Sequence, residues 1–338
     1  MTNNLKPELN KWSIKGRFLS LPTLASFAIA FIILGLLISR FNIDLSTTWD
    51  TVQESNPFFY LMAFASYYTT FLFRGARWKI LLGNVGRNDD SYPSPPSTWT
   101  CSRLILLGWF ANTVTWFRLG DAYRAYAYNT DTGASFPRTF GTIMAERVLD
   151  VATFFVLFLL TALILYGAGK ANPSPGFLIG ATLMLVTMAL LLAMMILLRL
   201  HLIRLLPRRL ATAYEHFHQG TMGSFRRIPI VSILSLLGWL SEVGRLYFVI
   251  HSLGMSVGGG LLVLVALANA LLTTLPITPG GLGIVEPGIV GLLTLSIGQN
   301  EAIAVALVDR SISYISVVVL GGLIFLARQV TRARSQRK

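Results

Sequence analysis

The sequence predicts an all-α polytopic membrane protein: about six transmembrane helices and two oppositely oriented re-entrant hairpins, arranged as inverted structural repeats. Three observations lead there. Of 338 residues, 54% are hydrophobic and only 13% charged, about half the charged share of an average soluble chain, and mean hydropathy is +0.62. Eight apolar segments, about 19–40, 57–82, 99–117, 138–166, 177–199, 229–252, 259–278 and 300–327, approach or exceed the ~20 residues that span hydrocarbon. Lysine and arginine collect at the chain ends and in particular loops, the asymmetry that orients a membrane protein.

The elements follow in order. The first apolar run, 19–40, is too long for a signal-peptide core and predicts a retained anchor. Lys6, Lys11, Lys15 and Arg17 before it place the N-terminus in the cytoplasm. Segment 41–56 has Asp44, Asp50 and Glu54 but no lysine or arginine, so it lies outside. The loop 199–228 carries Arg199, Arg204, Arg208, Arg209, Arg226 and Arg227, and the tail 328–338 is also basic, so both are expected in the cytoplasm. Eight plain crossings would put 199–228 outside. The charges are reconciled if 99–117 and 259–278 each dip in and return, from opposite faces. Broken backbone at membrane depth requires surrounding protein or a watery cavity, and TTLPITPGGLGIVEPGIVG (273–291) is where such a turn is expected. The Pro/Ser-rich stretch 86–97 reads as a mobile loop, and 199–228 as an interfacial amphipathic helix on anionic head-groups.

The chain repeats itself. Leu119-Gly120 aligns with Leu282-Gly283, and Glu146-Arg147 with Asp309-Arg310, at one common offset; Asn112 aligns with Asn269 after a short insertion. An acid, Asp121 or Glu286, follows each Leu-Gly. The halves run 19–166 and 177–327 within a single transmembrane domain. With an odd number of spans each, they are inverted, a plan that puts the substrate site at the midplane between repeats.

Ionisable residues in apolar segments mark that site, since each costs about 2.5–3.5 kcal/mol at the lipid-facing centre on insertion scales. The candidates are Arg74, Arg77, Arg118, Asp121, Arg124, Glu146, Arg147, Asp150, Glu242, Arg245, Glu286, Asp309 and Arg310. Arg74 and Arg77 also fit snorkelling to the cytoplasmic face, and Glu242 and Arg245, three apart, fit mutual neutralisation. Arg118, Arg124, Arg147 and Arg310 are the expected phosphate ligands, because a guanidinium forks phosphate. A half-helix starting at Pro279-Gly280-Gly281 is expected to aim free N–H groups at an anion, with Glu286 orienting arginines of the other half. The resulting pocket is expected to be positively biased.

One cysteine, Cys101, excludes an internal disulfide framework and a cysteine-based metal cluster, and the four histidines show no ligand spacing. No metal, cofactor or nucleic acid is expected; the net charge of +13 reflects loop orientation.

At these residues the sequence resembles the flippase-like, lysylphosphatidylglycerol synthase transmembrane-region family, which includes the membrane domain of bacterial multiple-peptide-resistance proteins. The resemblance rests on Asn112…Arg118-Leu-Gly120-Asp121-Ala-Tyr-Arg124, on Glu146-Arg147…Asp150, on Leu275-Pro276-Ile-Thr-Pro279-Gly280-Gly281-Leu-Gly283-Ile-Val-Glu286 and on Asp309-Arg310. It covers about 60–328. The family's proline four residues after the asparagine is here Trp116, so the first break is expected to be softer, or set by Gly120. The aminoacyltransferase domain that follows this membrane domain in multiple-peptide-resistance proteins is not expected here. The resemblance therefore implies translocation of a phospholipid or polyprenyl-phosphate lipid across a prokaryotic cell membrane, without catalysis, by a chain that pairs as a homodimer or works beside a lipid-modifying enzyme or glycosyltransferase. A membrane-embedded head-group or glycosyl transferase, and a glycosyltransferase scaffold, are the alternatives.

Overall fold

The computed structural model describes residues 45–87, 92–115, 119–167, 205–274 and 278–335, with scattered positions between 179 and 197. The expected anchor 19–40 and the basic N-terminal arm lie outside them. All regular structure among the described residues is helical.

A short helix, α1 (Leu45–Gln53), leads to α2 (Pro57–Gly86). The side chain of Asn56 caps α2 by accepting from Phe58 N at 2.9 Å, and Pro57 supplies a preset φ at the first position. Next come α3 (Thr98–Val114) and α4 (Gly120–Thr132), separated by a break, and then α5 (Phe136–Gly167). The second part holds α6 (Arg208–Ser224), α7 (Ile228–Ser252) and α8 (Gly259–Thr274), followed by a 3-10 turn at Pro279–Gly281 and α9 (Val285–Leu293). It ends with α10 (Gln299–Arg310), a π turn at Ser311–Ile315 and α11 (Ser316–Ser335).

Three stretches are long and apolar enough to cross a membrane: Phe136–Ile164, Ile228–Ser252 and Gln299–Thr331. They match three of the expected spans. Helix α2, at 30 residues, is about 45 Å long, but Arg74, Arg77 and Lys79 interrupt its apolar surface.

Helices α2 and α7 form the central pair and run antiparallel. Bonds step along both in opposite directions: Asn56 N to Ser252 O at 2.6 Å, Ser66 Oγ to Ser241 O at 2.8 Å, Arg77 Nη1 to Ser235 Oγ at 2.8 Å, and Asn84 Nδ2 to Arg226 O at 2.8 Å. Small residues permit the close approach; a Cβ on Gly244 would stand 2.8 Å from Ser66 Oγ. Such packing is the main means of helix association where lipid removes the hydrophobic driving force.

The first break folds α4 back against α3. Gly120 N donates to Asn112 Oδ1 at 2.8 Å, and a Cβ at Gly120 would lie 1.8 Å from Gly108 O. Glycine is therefore required for this contact; the break itself, with Trp116, lies outside the described residues. In the second break, Gly280, Gly281 and Gly283 all have positive φ (59°, 74° and 78°), a conformation cheap only for glycine.

Two expectations about the loops change. Tyr92 is buried, with its hydroxyl 3.2 Å from Thr139 Oγ1, so the Pro/Ser-rich stretch is pinned at that point rather than loose. Helix α6 exists within 199–228, but one face packs tightly on α5: a Cβ on Gly220 would stand 2.0 Å from Arg138 O, and one on Gly141 would stand 2.3 Å from Phe217 O. Arg208, Arg209 and Leu210 remain exposed.

This backbone contact makes a prediction. Gly220→Ala should cost about 1–3 kcal/mol through forced separation of α5 and α6. Gly223→Ala meets only Val85, at ordinary contact distances of 3.5 Å to its side chain and 3.7 Å to its Cα, and should be neutral or slightly stabilising. Thermal unfolding of both variants in detergent checks the difference.

Candidate functional site

Between the two proposed halves lies a cavity of about 410 Å³. Helices α2, α3 and α5 contribute Tyr67, Arg74, Trp109, Asn112, Thr113, Arg147, Asp150 and Phe154 to its wall. From α7, α8 and the second break come Trp239, Glu242, Arg245, Asn269, Thr273 and Gly280, and from α10 and the π turn Arg310, Ser313 and Tyr314.

Around this cavity the ionisable residues form a chain of ion pairs. Asp150 takes three arginines: Arg77 at 2.7 Å, Arg147 at 3.3 Å and Arg74 at 3.5 Å. Glu146 joins Arg77 at 3.4 Å and contacts Arg124, whose guanidinium lies over the Trp78 ring at 4.4 Å. Arg147 reaches Asp121 with two nitrogens, both at 3.3 Å. Across the cavity, Arg245 contacts Asp309 and lies 3.4 Å from Glu242. Arg310 forms an ion pair with Glu286 at 2.8 Å and donates to the carbonyl of Gly281 at 3.4 Å.

The two halves thus repeat one wiring. In each acid–Arg dipeptide, Glu146-Arg147 or Asp309-Arg310, the acid binds an arginine of the preceding long helix, Arg77 or Arg245. The arginine binds the acid of its own broken segment, Asp121 or Glu286.

Several sequence expectations are corrected. Arg77 does not snorkel: its side chain is 2% exposed, and it is fixed by Asp150, Glu146 and Ser235. Glu242 is not the sole partner of Arg245, which reaches across to Asp309 on α10. Glu286 grips Arg310 of its own half, not an arginine of the other. Its second oxygen accepts from Gly283 N at 2.7 Å, so the chain's own carboxylate occupies this helix start, where free donors were expected. The expected positive bias is present at the cavity surface: Arg74 and Arg147 accompany one lining acid, Asp150, and Arg245 and Arg310 accompany one, Glu242, so each wall carries a surplus arginine, while Asp121, Glu146, Glu286 and Asp309 offset charge from behind.

Of the sequence candidates, Arg74, Asn112, Arg147, Asp150, Glu242, Arg245, Asn269, Gly280 and Arg310 line the cavity. Arg77, Asp121, Arg124, Glu146, Glu286 and Asp309 stand behind the wall and hold those that do. Pro279, Gly281 and Gly283 shape the turn, and Arg118 lies outside the described residues.

Sequence reasoning missed the aromatic lining: Tyr67, Trp109, Phe154, Trp239 and Tyr314. Aromatic residues in apolar segments read as ordinary core. It also missed the π turn, where the serine-rich SISYI carried a signal. There the tyrosines of α2 meet the turn: Tyr67 OH donates to Ser313 O at 3.1 Å, and Tyr60 OH lies 3.0 Å from Ser311 Oγ. Such turns recur at functional sites. Trp239 Nε1 and Arg74 Nε are buried without an acceptor among the described residues. Also among the described residues, no group of three or more His, Cys, Asp or Glu is arranged to hold a metal ion.

Comparison with known proteins identifies the family. The family model for the lysylphosphatidylglycerol synthase TM region matches residues 24–321. The chain belongs to this family. A UPF0104 membrane protein of Methanocaldococcus jannaschii is 31% identical over 222 residues, 64% of this chain and 93% of the relative. A UPF0104 membrane protein of Methanothermobacter thermautotrophicus is 24% identical over 83% of this chain and 87% of its own length. One from Pyrococcus horikoshii is 23% identical over 79% and 86%. No solved structure matches the chain.

The ion-pair geometry predicts unequal costs. Asp150→Asn leaves three guanidiniums with a neutral partner and should destabilise the protein by about 3 kcal/mol or more. Trp239→Phe removes an N–H that has no acceptor and should stay within about 1 kcal/mol. Chemical unfolding in detergent ranks the two; a larger loss for Trp239→Phe would contradict the assignment.

Proposed function

We propose that this family member translocates a phosphate-bearing lipid between membrane leaflets, with the head-group passing through the central cavity while the tails stay in lipid. One observation carries this reading: Arg147 lines the cavity and is the most exposed of its buried arginines. Its side chain is 29% exposed, against 2–11% for Arg74, Arg77, Arg124, Arg245 and Arg310. Beside it Arg74 makes a single 3.5 Å contact with Asp150 and has an Nε without an acceptor among the described residues, so the two together offer a phosphate a donor not yet engaged. The aromatic lining gives the rest of the head-group an amphipathic surface.

In this reading the protein has about six spans, and the broken segments α3–α4 and α8–α9 enter from opposite faces as re-entrant elements. The repeated ion-pair wiring supports an inverted repeat between 19–166 and 177–327, with both termini in the cytoplasm of a prokaryotic cell. The lipid leaves chemically unchanged, and a homodimer or a neighbouring lipid-modifying enzyme or glycosyltransferase would be its partner.

Arg147→Ala, reconstituted into liposomes with a fluorescent phospholipid, should translocate about tenfold more slowly or worse while eluting as a folded protein. Wild-type rates in that variant would remove Arg147 from the mechanism. Mass spectrometry of the lipids before and after transport should show no new species; a new product would favour a transferase.

A further inference from the structure

The ion-pair chain around the central cavity balances: among the described residues, six arginines meet six carboxylates. A phosphodiester head-group brings one more negative charge. Each ion still finds a partner, but the set as a whole then holds a surplus anion in low-dielectric surroundings, where net charge is unfavourable. A proton on one of the six acids cancels it, and the acids are not equally placed to accept one.

Five of them are tightly held. Asp150 takes three guanidiniums, the nearest at 2.7 Å, and Glu146 contacts two. Glu286 holds Arg310 at 2.8 Å and accepts from Gly283 N at 2.7 Å. Asp309 contacts Arg245 and accepts from Ser313 Oγ at 3.3 Å and Asn269 Nδ2 at 3.4 Å. Asp121 meets two nitrogens of Arg147. Glu242 differs. Its ion pair among the described residues is with Arg245 Nε at 3.4 Å. That nitrogen has no hydrogen-bond acceptor among the described residues, so the contact is Coulombic alone. Glu242 also lines the cavity, as Asp150 does and the other four acids do not. Tyr67 and Arg74 of α2, Arg147 and Asp150 of α5, Arg310 of α10 and Tyr314 of the π turn share the wall with it. Asp309 stands behind, on Arg245; α3 and α8 bring no titratable side chain to the lining among the described residues.

We propose that Glu242 takes up a proton when a phosphate group docks in the cavity, so that head-group binding and proton uptake are linked. This inference rests on the transport reading above and deepens it. The proton comes from solvent and forms an O–H bond on the carboxylate. Arg245 gives up its weak ion pair with Glu242 and keeps Asp309. The set is then neutral both empty and loaded. A proton suits this place better than an ammonium group of the lipid, because four guanidiniums line the cavity against two carboxylates. Linkage is reciprocal: if docking takes up a proton, rising pH weakens docking.

The test is calorimetric titration of the full-length chain in detergent with dihexanoylphosphatidylglycerol, a short-chain lipid with one phosphate charge. Two buffers of different ionisation enthalpy reveal the protons exchanged. Wild type should take up about one proton per lipid bound, and its affinity should fall about tenfold per pH unit across the range of uptake. Glu242→Gln should show neither effect, while Glu242→Asp should recover both. Should Glu242→Gln fail to fold, Glu242→Asp carries the measurement through a shifted pH midpoint of binding, and an unshifted midpoint overturns the proposal. Binding by wild type without proton uptake, or uptake undiminished in Glu242→Gln, also overturns it, and leaves translocation to be judged by Arg147→Ala in liposomes. Tighter binding of dihexanoylphosphatidylethanolamine, with no uptake, would assign Glu242 to an ammonium group and overturn it too. No saturable binding of either lipid by wild type would sink this inference and the transport reading together.

Discussion

Everything in the bundle depends on burying charges among apolar helices without leaving any of them alone. An isolated ion in low dielectric costs several kcal/mol even after relaxation, and a paired one recovers that only with good geometry. Here Asp150 gathers three guanidiniums, Glu146 two and Arg245 two carboxylates. The pairs join helices far apart in sequence, so they dictate which faces of α2, α5, α7 and α10 meet. Well-packed hydrophobic residues would hold such helices at least as well. Retaining this many buried ions points to a requirement beyond stability, and the cavity they surround is that requirement.

The same wiring explains the broken helices. Arg310 ties Glu286 and the Gly281 carbonyl to α10, and Arg147 ties Asp121 to α5. Each broken segment is therefore moored to the long helix that follows it. Glu286 satisfies Gly283 N as well, so the start of α9 is closed by its own side chain. The glycines serve close packing here: a Cβ on Gly280 would stand 2.6 Å from the Tyr314 ring, and one on Gly281 would stand 2.6 Å from Val285. The break thus brings Tyr314 to the cavity edge, where its hydroxyl donates to Thr113 O at 3.2 Å in the last turn of α3. The two broken segments meet through that tyrosine.

Much of this was legible in the sequence. Charge in an apolar segment is rare enough to mark interior positions, and the acid–Arg dipeptides at one offset located both equivalent ion-pair sets. Three spans were readable from apolar length. Partner choice was not readable. Glu242 and Arg245 look self-sufficient at three residues apart, but helix direction carries Arg245 to Asp309 on α10. Glu286 looked free to reach the other half because sequence does not give the tightness of the glycine turn. The aromatic lining was hidden for a different reason: Trp109 and Trp239 read as core, and only the packed arrangement shows which face of a buried ring borders empty space.

The distribution of charge across the cavity matters more than its sum. A wholly cationic pocket in hydrocarbon would bind an anionic head-group tightly and release it slowly, whereas passage requires entry and exit at comparable cost. Arg74 and Arg147 are faced by Glu242 on α7, and both arginines already share Asp150. In the proposed function a phosphate arriving there would exchange one anionic partner for another rather than fill a bare positive hole. Asp150 holds the arginines when the ligand is gone, keeping the empty cavity affordable in a low-dielectric setting. On the proposed reading, a carboxylate shared among three guanidiniums would let the same site be occupied and vacated without leaving a buried charge unmatched in either state.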